Sequence, residues 1–217
     1  KYRNNMIRLG VGSAGTGINS GYTINGFNEF AGGSEYFHNT VYIGGAPTSG
    51  TGNTFCLNST PTTGSRDIRN NIFWNARTNS GSTGKHYALK VGTLTNLVSN
   101  YNDIYVNGNG AQVAAVGGTD YTFLPAWHLA SGQDLMSVSG DPVFVNATGN
   151  ASAVNLHIQP GAFTPIESAG DPIGSVTVDY DNDSRASNTP ADIGADAGLF
   201  NPVDVTLNLY DGLVTDY

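Results

Sequence analysis

The sequence is poor in cysteine, in charged residues and in long apolar runs. Its 217 residues include one cysteine, which excludes an internal disulfide, and only 12% of them are charged. Cys56 stands in the apolar stretch "TFCLN", so we expect a packed thiol rather than a nucleophile. No apolar run approaches the roughly 20 residues of a membrane-spanning helix. Because the chain opens inside its first repeat without a signal peptide, we expect a mature fragment or one segment of a longer protein.

Basic residues are nearly absent from the second half of the chain. Residues 91–217 contain Arg185 as their only cation beside fourteen acidic residues, whereas residues 1–90 contain eight basic and three acidic residues. The net charge of −8 disfavours a nucleic-acid partner, since phosphate binding needs a concentrated basic surface.

What the sequence does contain is a repeat. Four segments resemble one another: "NNMIRLG", "HNTVYIGG", "RNNIFWN" and "YNDIYVNG". We align Asn5, Asn39, Asn70 and Asn102 in one column, at spacings of 34, 31 and 32 residues. Each unit offers three short strands separated by turns rich in Gly, Asn, Ser and Thr. This period predicts an all-β chain folded as a parallel β-helix, with regular coils over residues 4–118.

The alignment also predicts which side chains face inward. The four asparagines are expected to hydrogen-bond to one another along the stack, a structural role. Two apolar columns are expected to point into the core: two residues on, Ile7, Val41, Ile72 and Ile104, and two further on, Leu9, Ile43, Trp74 and Val106. The residues between core positions then face outward: Arg8, Tyr42, Phe73 and Tyr105. The aromatic members, Tyr42, Phe73 and Tyr105, are our candidate binding strip for a polysaccharide or a protein subunit; alternatively a loop covers them or they only support the surface.

The C-terminal half resembles a known group of proteins. "YTFLPAWHLASGQD" predicts a short helix with Thr122 as N-cap and Gly132 as its stop. Further motifs follow in order: "GDPVF", "DYDNDSR" and "IGAD". This ordered series, which includes Trp127, Asp134, Arg185 and Asp196, resembles the end of secreted bacterial right-handed parallel β-helix proteins of the pectate-lyase-like type. The resemblance covers roughly residues 4–198, although Ala197 replaces a common acidic residue.

The resemblance implies one β-helix unit, residues 1–198, in an extracellular or cell-surface protein. Within it we interpret residues 119–198 as a helix and cap that hide the exposed end of the stack. Residues 199–217 alternate like one or two further strands or a linker to another domain. Arg185 is expected to centre a salt-bridge cluster with Asp179, Asp192 and Asp196.

The residues leave two sites open. Asp179, Asp181 and Asp183 alternate as in calcium loops, so a structural Ca²⁺ is an alternative to a plain turn; no other cofactor is indicated. A lyase for uronate-rich polysaccharide would need a base and cations, for which the weak candidates are Arg69, Lys85, His86 and Lys90. The other histidines, His38, His128 and His157, have no evident catalytic partner. We therefore expect a non-catalytic extracellular module, a rigid stalk, adhesin or self-assembling subunit that contacts glycans, with the lyase as alternative.

Overall fold

The computed structural model describes residues 1–188 and 190–203. The predicted strand or linker at residues 199–217 falls largely outside this range. Within the described part of that segment, Asn201–Pro202 pairs in parallel with Phe163–Thr164.

The repeats form stacked coils, each with three strands. In chain order the strands are β1 (Tyr2–Arg3), β2 (Met6–Leu9), β3 (Ile24–Glu29), β4 (Ser34–Phe37), β5 (Thr40–Ile43), β6 (Thr54–Ser59), β7 (Arg66–Arg69), β8 (Ile72–Asn75), β9 (His86–Val91), β10 (Leu97–Asn100), β11 (Asp103–Val106), β12 (Ala111–Val116) and β13 (Thr119–Tyr121). Strands one coil apart pair in parallel and form three sheets, to the last of which β13 adds an antiparallel strand. The predicted parallel β-helix is confirmed, with about three turns and a repeat of about 32 residues.

The interior of the coils is apolar. Val41, Phe73 and Ile104 stack on one wall, and Leu57 and Leu89 stack on another, all at 0% exposure. Cys56 is fully buried among them, as expected, and burial raises the pKa of its thiol. Such packing supplies the main driving force for the fold, about 25 cal/mol per Å² of apolar surface buried.

A short helix closes the upper end of the stack. Helix α1 (Leu124–Ser131) begins after Phe123, one residue later than predicted and without a side-chain cap, and it ends at Gly132 with a φ of 65°. Its Trp127 is fully buried against the core. No helix in the described residues is both long and apolar enough to cross a membrane.

The asparagine ladder exists, but its third member is Asn71 and not Asn70. Asn5 Nδ2 donates to Asn39 Oδ1 (2.7 Å), Asn39 Nδ2 donates to Asn71 Oδ1 (2.9 Å), and Asn71 Nδ2 donates to Asn102 Oδ1 (3.0 Å). Each of these oxygens also accepts the main-chain N–H of the asparagine below. Every rung therefore satisfies buried groups at the bend between the first and second sheets.

Asn70 belongs to the preceding column, where the backbone turns. Asn4, His38, Asn70 and Tyr101 all have φ between 52° and 59°. This left-handed conformation suits asparagine better than most residues, and it sharpens the corner before each ladder position. Because side chains alternate along a strand, the slip of one residue reverses the predicted orientation of everything in β8. The register of β3 also differs from the sequence spacing, which pairs Ile24 with Leu57: in the structure Phe27 aligns with Leu57 and Ile24 with Thr54.

The remaining chain, residues 139–203, packs as a side layer over the second sheet. It contains β14 (Phe144–Asn146), β15 (Asn155–Ile158), β16 (Phe163–Thr164), one 3₁₀ turn (Arg185–Ser187) and β17 (Asn201–Pro202). Its Phe144, Ile158 and Ile193 form a second apolar core with Tyr42 and Ile72. Main-chain contacts anchor it, such as Gly194 N donating to Asn70 O (2.8 Å). The predicted cap of residues 119–198 is thus two features: a helix over the end and a layer along one side.

Candidate functional site

The outward column of the second sheet consists of Arg8, Tyr42, Trp74 and Tyr105, which are paired in register. Phe73, predicted to face outward, points into the core with 0% exposure. Tyr42 is also buried, at 4% exposure, because the side layer lies on it. Of the predicted strip, Tyr105 alone stays half-buried at the surface, and Trp74 takes the place of Phe73. We call Trp74 and Tyr105 the aromatic pair.

Trp74 lines a cleft between the second sheet and the side layer, and Tyr105 lies beside Trp74. The ring centroids of the aromatic pair are 5.4 Å apart, and the ring of Phe144 lies 5.6 Å from that of Trp74. The cleft measures about 300 Å³, and its polar groups are contributed by Asp141, Asn146 and Thr148. Aromatic faces beside a carboxylate and an amide can bind a ring that has an apolar face and hydroxyl edges.

The predicted basic candidates do not gather into a site. Arg69 binds Asp67 with two nitrogens, at 2.8 and 2.9 Å, and Asp171 with the third, at 2.9 Å. Lys85 is paired with Asp120, and the Lys90 ammonium lies over the rings of Phe55 and Tyr87, at 5.3 and 5.9 Å from their centroids. These three cations are already engaged by groups of the protein itself.

His86 is an interior residue and not a turn residue. It is the first residue of β9, fully buried, with its Nδ1 3.0 Å from Thr54 Oγ1 and its Nε2 3.0 Å from Asn79 Oδ1. Burial lowers the pKa of His86 to about 4, and the charge of Arg77 acts in the same direction. Lys85, by contrast, is exposed, because successive side chains point in opposite directions, so the two candidates do not share a surface.

Two further arginines serve as internal braces. The Arg66 guanidinium donates to the carbonyl oxygens of Pro61, Thr93 and Thr95. The Arg77 guanidinium donates to those of Gly44, Ile18 and Ser20. Both side chains are almost completely buried, so they cross-link turns of successive coils and do not face a substrate.

Arg185 has the same role in the side layer, which corrects the predicted salt-bridge cluster. Its guanidinium donates to the carbonyl oxygens of Val178 (3.2 Å), Gly194 (2.9 Å) and Ala195 (3.0 Å) and to Asn4 Oδ1 (3.1 Å). None of the carboxylates in the described residues lies within salt-bridge distance of it. Burial lowers the pKa of Arg185 to about 10, against the opposing charges of Asp179, Asp192 and Asp196.

The Arg185→Met variant should therefore have a lower free energy of unfolding than the wild type, both at neutral pH and at pH 4. Gly194 O would lose its donor, and Val178 O and Ala195 O would each lose one of two donors, which we expect to cost about 1–3 kcal/mol. Carbonyl oxygens do not titrate, so most of this loss should remain at pH 4 in urea unfolding experiments. Lys90→Met, which removes the same charge from the surface, is the control with a small effect. A loss that disappears at pH 4 would restore the ion-pair interpretation.

The three aspartates considered for calcium do not converge. Asp179 is buried, and its Oδ1 accepts the main-chain N–H groups of Asp181 and Asp183, both at 2.9 Å. Its Oδ2 accepts the N–H of Ala197 at 3.2 Å. The Asp181 carboxylate turns away, to 2.7 Å from His157 Nε2. Asp179 thus builds the turn. His157, for which the sequence indicated no partner, contacts Asp181.

The fold and this geometry define the class: a parallel β-solenoid of about three turns with a cleft between one sheet and a side layer. Comparison with family models, with curated proteins and with solved structures finds no match.

Proposed function

We propose that this chain is a non-catalytic extracellular β-helix module of a surface or secreted protein, a rigid scaffold that contacts glycans through the cleft beside the aromatic pair. The extracellular, pectate-lyase-like part of the proposal rests on the ordered motifs of the C-terminal half. The glycan part rests on the cleft.

The observation that carries the proposal is how the protein engages its cations. A lyase needs cations free to neutralise the substrate carboxylate and a base beside them. The candidates Arg69 and Lys85 are held by carboxylates, and His86 is enclosed. The same groups that would have formed a basic groove instead stabilise the scaffold, which favours a binding or structural role over the lyase alternative.

The two apolar cores and the asparagine ladder make this module rigid. The second sheet is covered on its inner face by Phe73 and its neighbours and on its outer face by the side layer. The side layer reaches back to the first coil, where Asn4 Nδ2 donates to Val178 O (2.7 Å) and Arg3 donates to Ser175 O (2.7 Å). A module clamped along its length in this way is suited to hold a binding surface at a fixed orientation.

The aromatic pair suits a sugar chain better than a protein partner. A stable protein contact buries about 800 Å² on each side, whereas a half-buried ring in a cleft of about 300 Å³, with a second ring beside it, fits one or two sugar rings. Asp141 and Asn146 are placed to accept and donate hydrogen bonds to hydroxyl groups at the edge of such a ring.

A polysaccharide panel tests the proposal. We expect the wild type to retain at least one glycan without forming unsaturated products, and Tyr105→Ala and Trp74→Ala to weaken this retention at least tenfold, because stacking on each ring is lost. Tyr22→Ala, which removes an exposed ring elsewhere, is the matched control and should bind like the wild type. Glycan arrays and ultraviolet detection of unsaturated uronates provide the two measurements.

Two results would contradict the proposal. Unsaturated products that depend on Lys85 or Arg69 would establish the lyase alternative. Retention that survives both aromatic substitutions, in variants with unchanged circular dichroism, would remove the cleft from consideration. Sedimentation of the same samples reports on self-association, the other contact that the sequence suggests: concentration-dependent growth abolished by these substitutions would assign the aromatic pair to a protein partner.

A further inference from the structure

His157, Asp181 and Asp196 bring one imidazole nitrogen and two carboxylates together. Their potential ligand atoms all lie within 4.8 Å of one another. The three residues come from separate segments of the side layer: β15, the turn built by Asp179, and the stretch after Ile193. His157 also lines a second cleft, of about 480 Å³, together with Met6, Arg8, Asn155 and Tyr180.

The neighbourhood determines which nitrogen of His157 is free to bind a ligand. Asn155 Oδ1 accepts the main-chain N–H of His157 at 2.9 Å, so the oxygen of that amide faces the ring. The ring Nδ1, 2.5 Å from the same oxygen, must therefore donate. In a neutral ring Nε2 then carries its lone pair, and it points at Asp181 Oδ2 from 2.7 Å. An amide oxygen that orients a histidine through its other nitrogen is the usual second contact of a metal-binding histidine.

Asp196 adds a held carboxylate with one oxygen unused. Its side chain is only 8% exposed, and Oδ2 accepts the N–H of Ile158 at 2.8 Å. Among the described residues no donor contacts its Oδ1. Burial raises the pKa of the Asp196 carboxyl, and the charges of Asp179 and Asp181 act in the same direction. Two neighbouring carboxylates and a lone pair repel one another unless a cation, either a proton or a metal ion, lies between them. The arginine that lines the cleft, Arg8, does not supply this charge because it is directed to Gly149 O.

We propose that His157 Nε2, Asp181 and Asp196 bind a divalent transition-metal ion, for which Zn²⁺ is the probe. One nitrogen and two carboxylate oxygens suit Zn²⁺, with its remaining position open to the cleft, and the nitrogen disfavours Ca²⁺, which takes oxygen ligands. Ligand bonds of about 2.0–2.2 Å require the Nε2–Oδ2 contact to widen by less than 1 Å, which the half-exposed Asp181 side chain permits. The ion would join three segments and so stabilise the side layer.

Thermal unfolding with and without metal tests the proposal. At a hundredfold excess of Zn²⁺ over its Kd, we expect the wild-type Tm to rise by about 5 °C or more and EDTA to reverse the rise. His157→Gln and Asp181→Asn should abolish it. Asp183→Asn, the same charge change in the same turn outside the cluster, is the matched control and should keep it.

Calorimetric titration with Zn²⁺ provides a second measurement, on proteins that keep the full cluster, if a cluster variant folds poorly. The wild type should bind one Zn²⁺ with Asp183→Asn unchanged, whereas Ca²⁺ should produce no comparable signal. The proposal fails if wild-type protein shows no Zn²⁺-dependent rise, which would leave His157 and Asp181 as a plain ion pair. It also fails if the rise survives both His157→Gln and Asp181→Asn, or if Ca²⁺ stabilises the protein and His157→Gln does not affect that stabilisation.

Discussion

Asn71→Leu is expected to destabilise the protein by about 3–5 kcal/mol. Asn71 Oδ1 accepts two hydrogen bonds from Asn39, through N and Nδ2, and Asn71 Nδ2 donates to Tyr36 O (2.9 Å), Arg69 O (3.0 Å) and Asn102 Oδ1. Leucine has a similar volume but removes all of these hydrogen bonds and leaves the buried main-chain N–H of Asn39 without an acceptor. Such an orphan costs about 1–3 kcal/mol, and each further hydrogen bond lost costs about 0.5–1.5 kcal/mol. Urea unfolding monitored by circular dichroism provides the measurement.

Asn109→Leu is the matched control, because Asn109 is exposed and its side chain lies outside the ladder. We expect its effect to stay within about 0.5 kcal/mol, as for most surface changes. Equal midpoints for wild type and Asn71→Leu would show that the ladder contributes nothing beyond filling space. If the main change is a shallower urea transition, that is, a smaller dependence of the free energy of unfolding on urea concentration, the coils no longer unfold together.

Asp134→Gly should cost about as much, because Asp134 ends the ladder. Its Oδ1 accepts from Asn102 Nδ2 (3.0 Å), Ser99 Oγ (2.9 Å) and Ser137 Oγ (2.8 Å), and its Oδ2 accepts from Trp127 Nε1 (2.8 Å). One carboxylate thus joins the last coil to helix α1. Its removal leaves three donors unpaired, on Ser99, Ser137 and Trp127, and frees the indole that covers the core. We expect a loss of about 3–5 kcal/mol.

We choose glycine because Asp134 has a φ of 56°, a conformation that glycine adopts without strain. The loss then reports on the side-chain hydrogen bonds alone. Asp134→Ala should be worse than Asp134→Gly by about 1 kcal/mol, the penalty for a left-handed non-glycine residue without a local hydrogen bond. Asp183→Gly controls for the lost charge and should have a small effect. If Asp134→Gly unfolds at the wild-type midpoint, the helix is docked by Trp127 packing alone.

Periodicity was sufficient to predict the coils, and it failed where neighbouring residues were alike. Asn5, Asn39 and Asn102 were placed correctly, and at Asn39 and Asn102 a single asparagine stands directly before the strand. In "RNNIFWN" two asparagines precede three apolar residues, so neither the polar nor the apolar pattern distinguishes one register from the other. The wrong choice exchanged Phe73, a core residue, for Trp74, a cleft residue.

The side layer was predictable as a motif series but not as a surface. The sequence marked Trp127, Asp134, Arg185 and Asp196 as members of that series but did not identify their partners, and the ion pairs predicted for Arg185 were wrong. Their partners lie up to 181 residues away, as in the bond from Arg185 to Asn4. The same distance in sequence hid the cluster of His157, Asp181 and Asp196.

The sequence by itself determined the strands, their repeat of about 32 residues and the need for polar residues at each bend, because these follow from local alternation and period. Only the tertiary structure decided the register of the third repeat, in which Asn71 takes the ladder position. It also decided the burial of Tyr42 and the partners of the basic side chains. A sheet covered on both faces no longer alternates between apolar and polar residues, so its orientation is set by what packs on it. Charged side chains choose among many carbonyl and carboxylate partners, and that choice is made only when distant coils and the side layer are brought together.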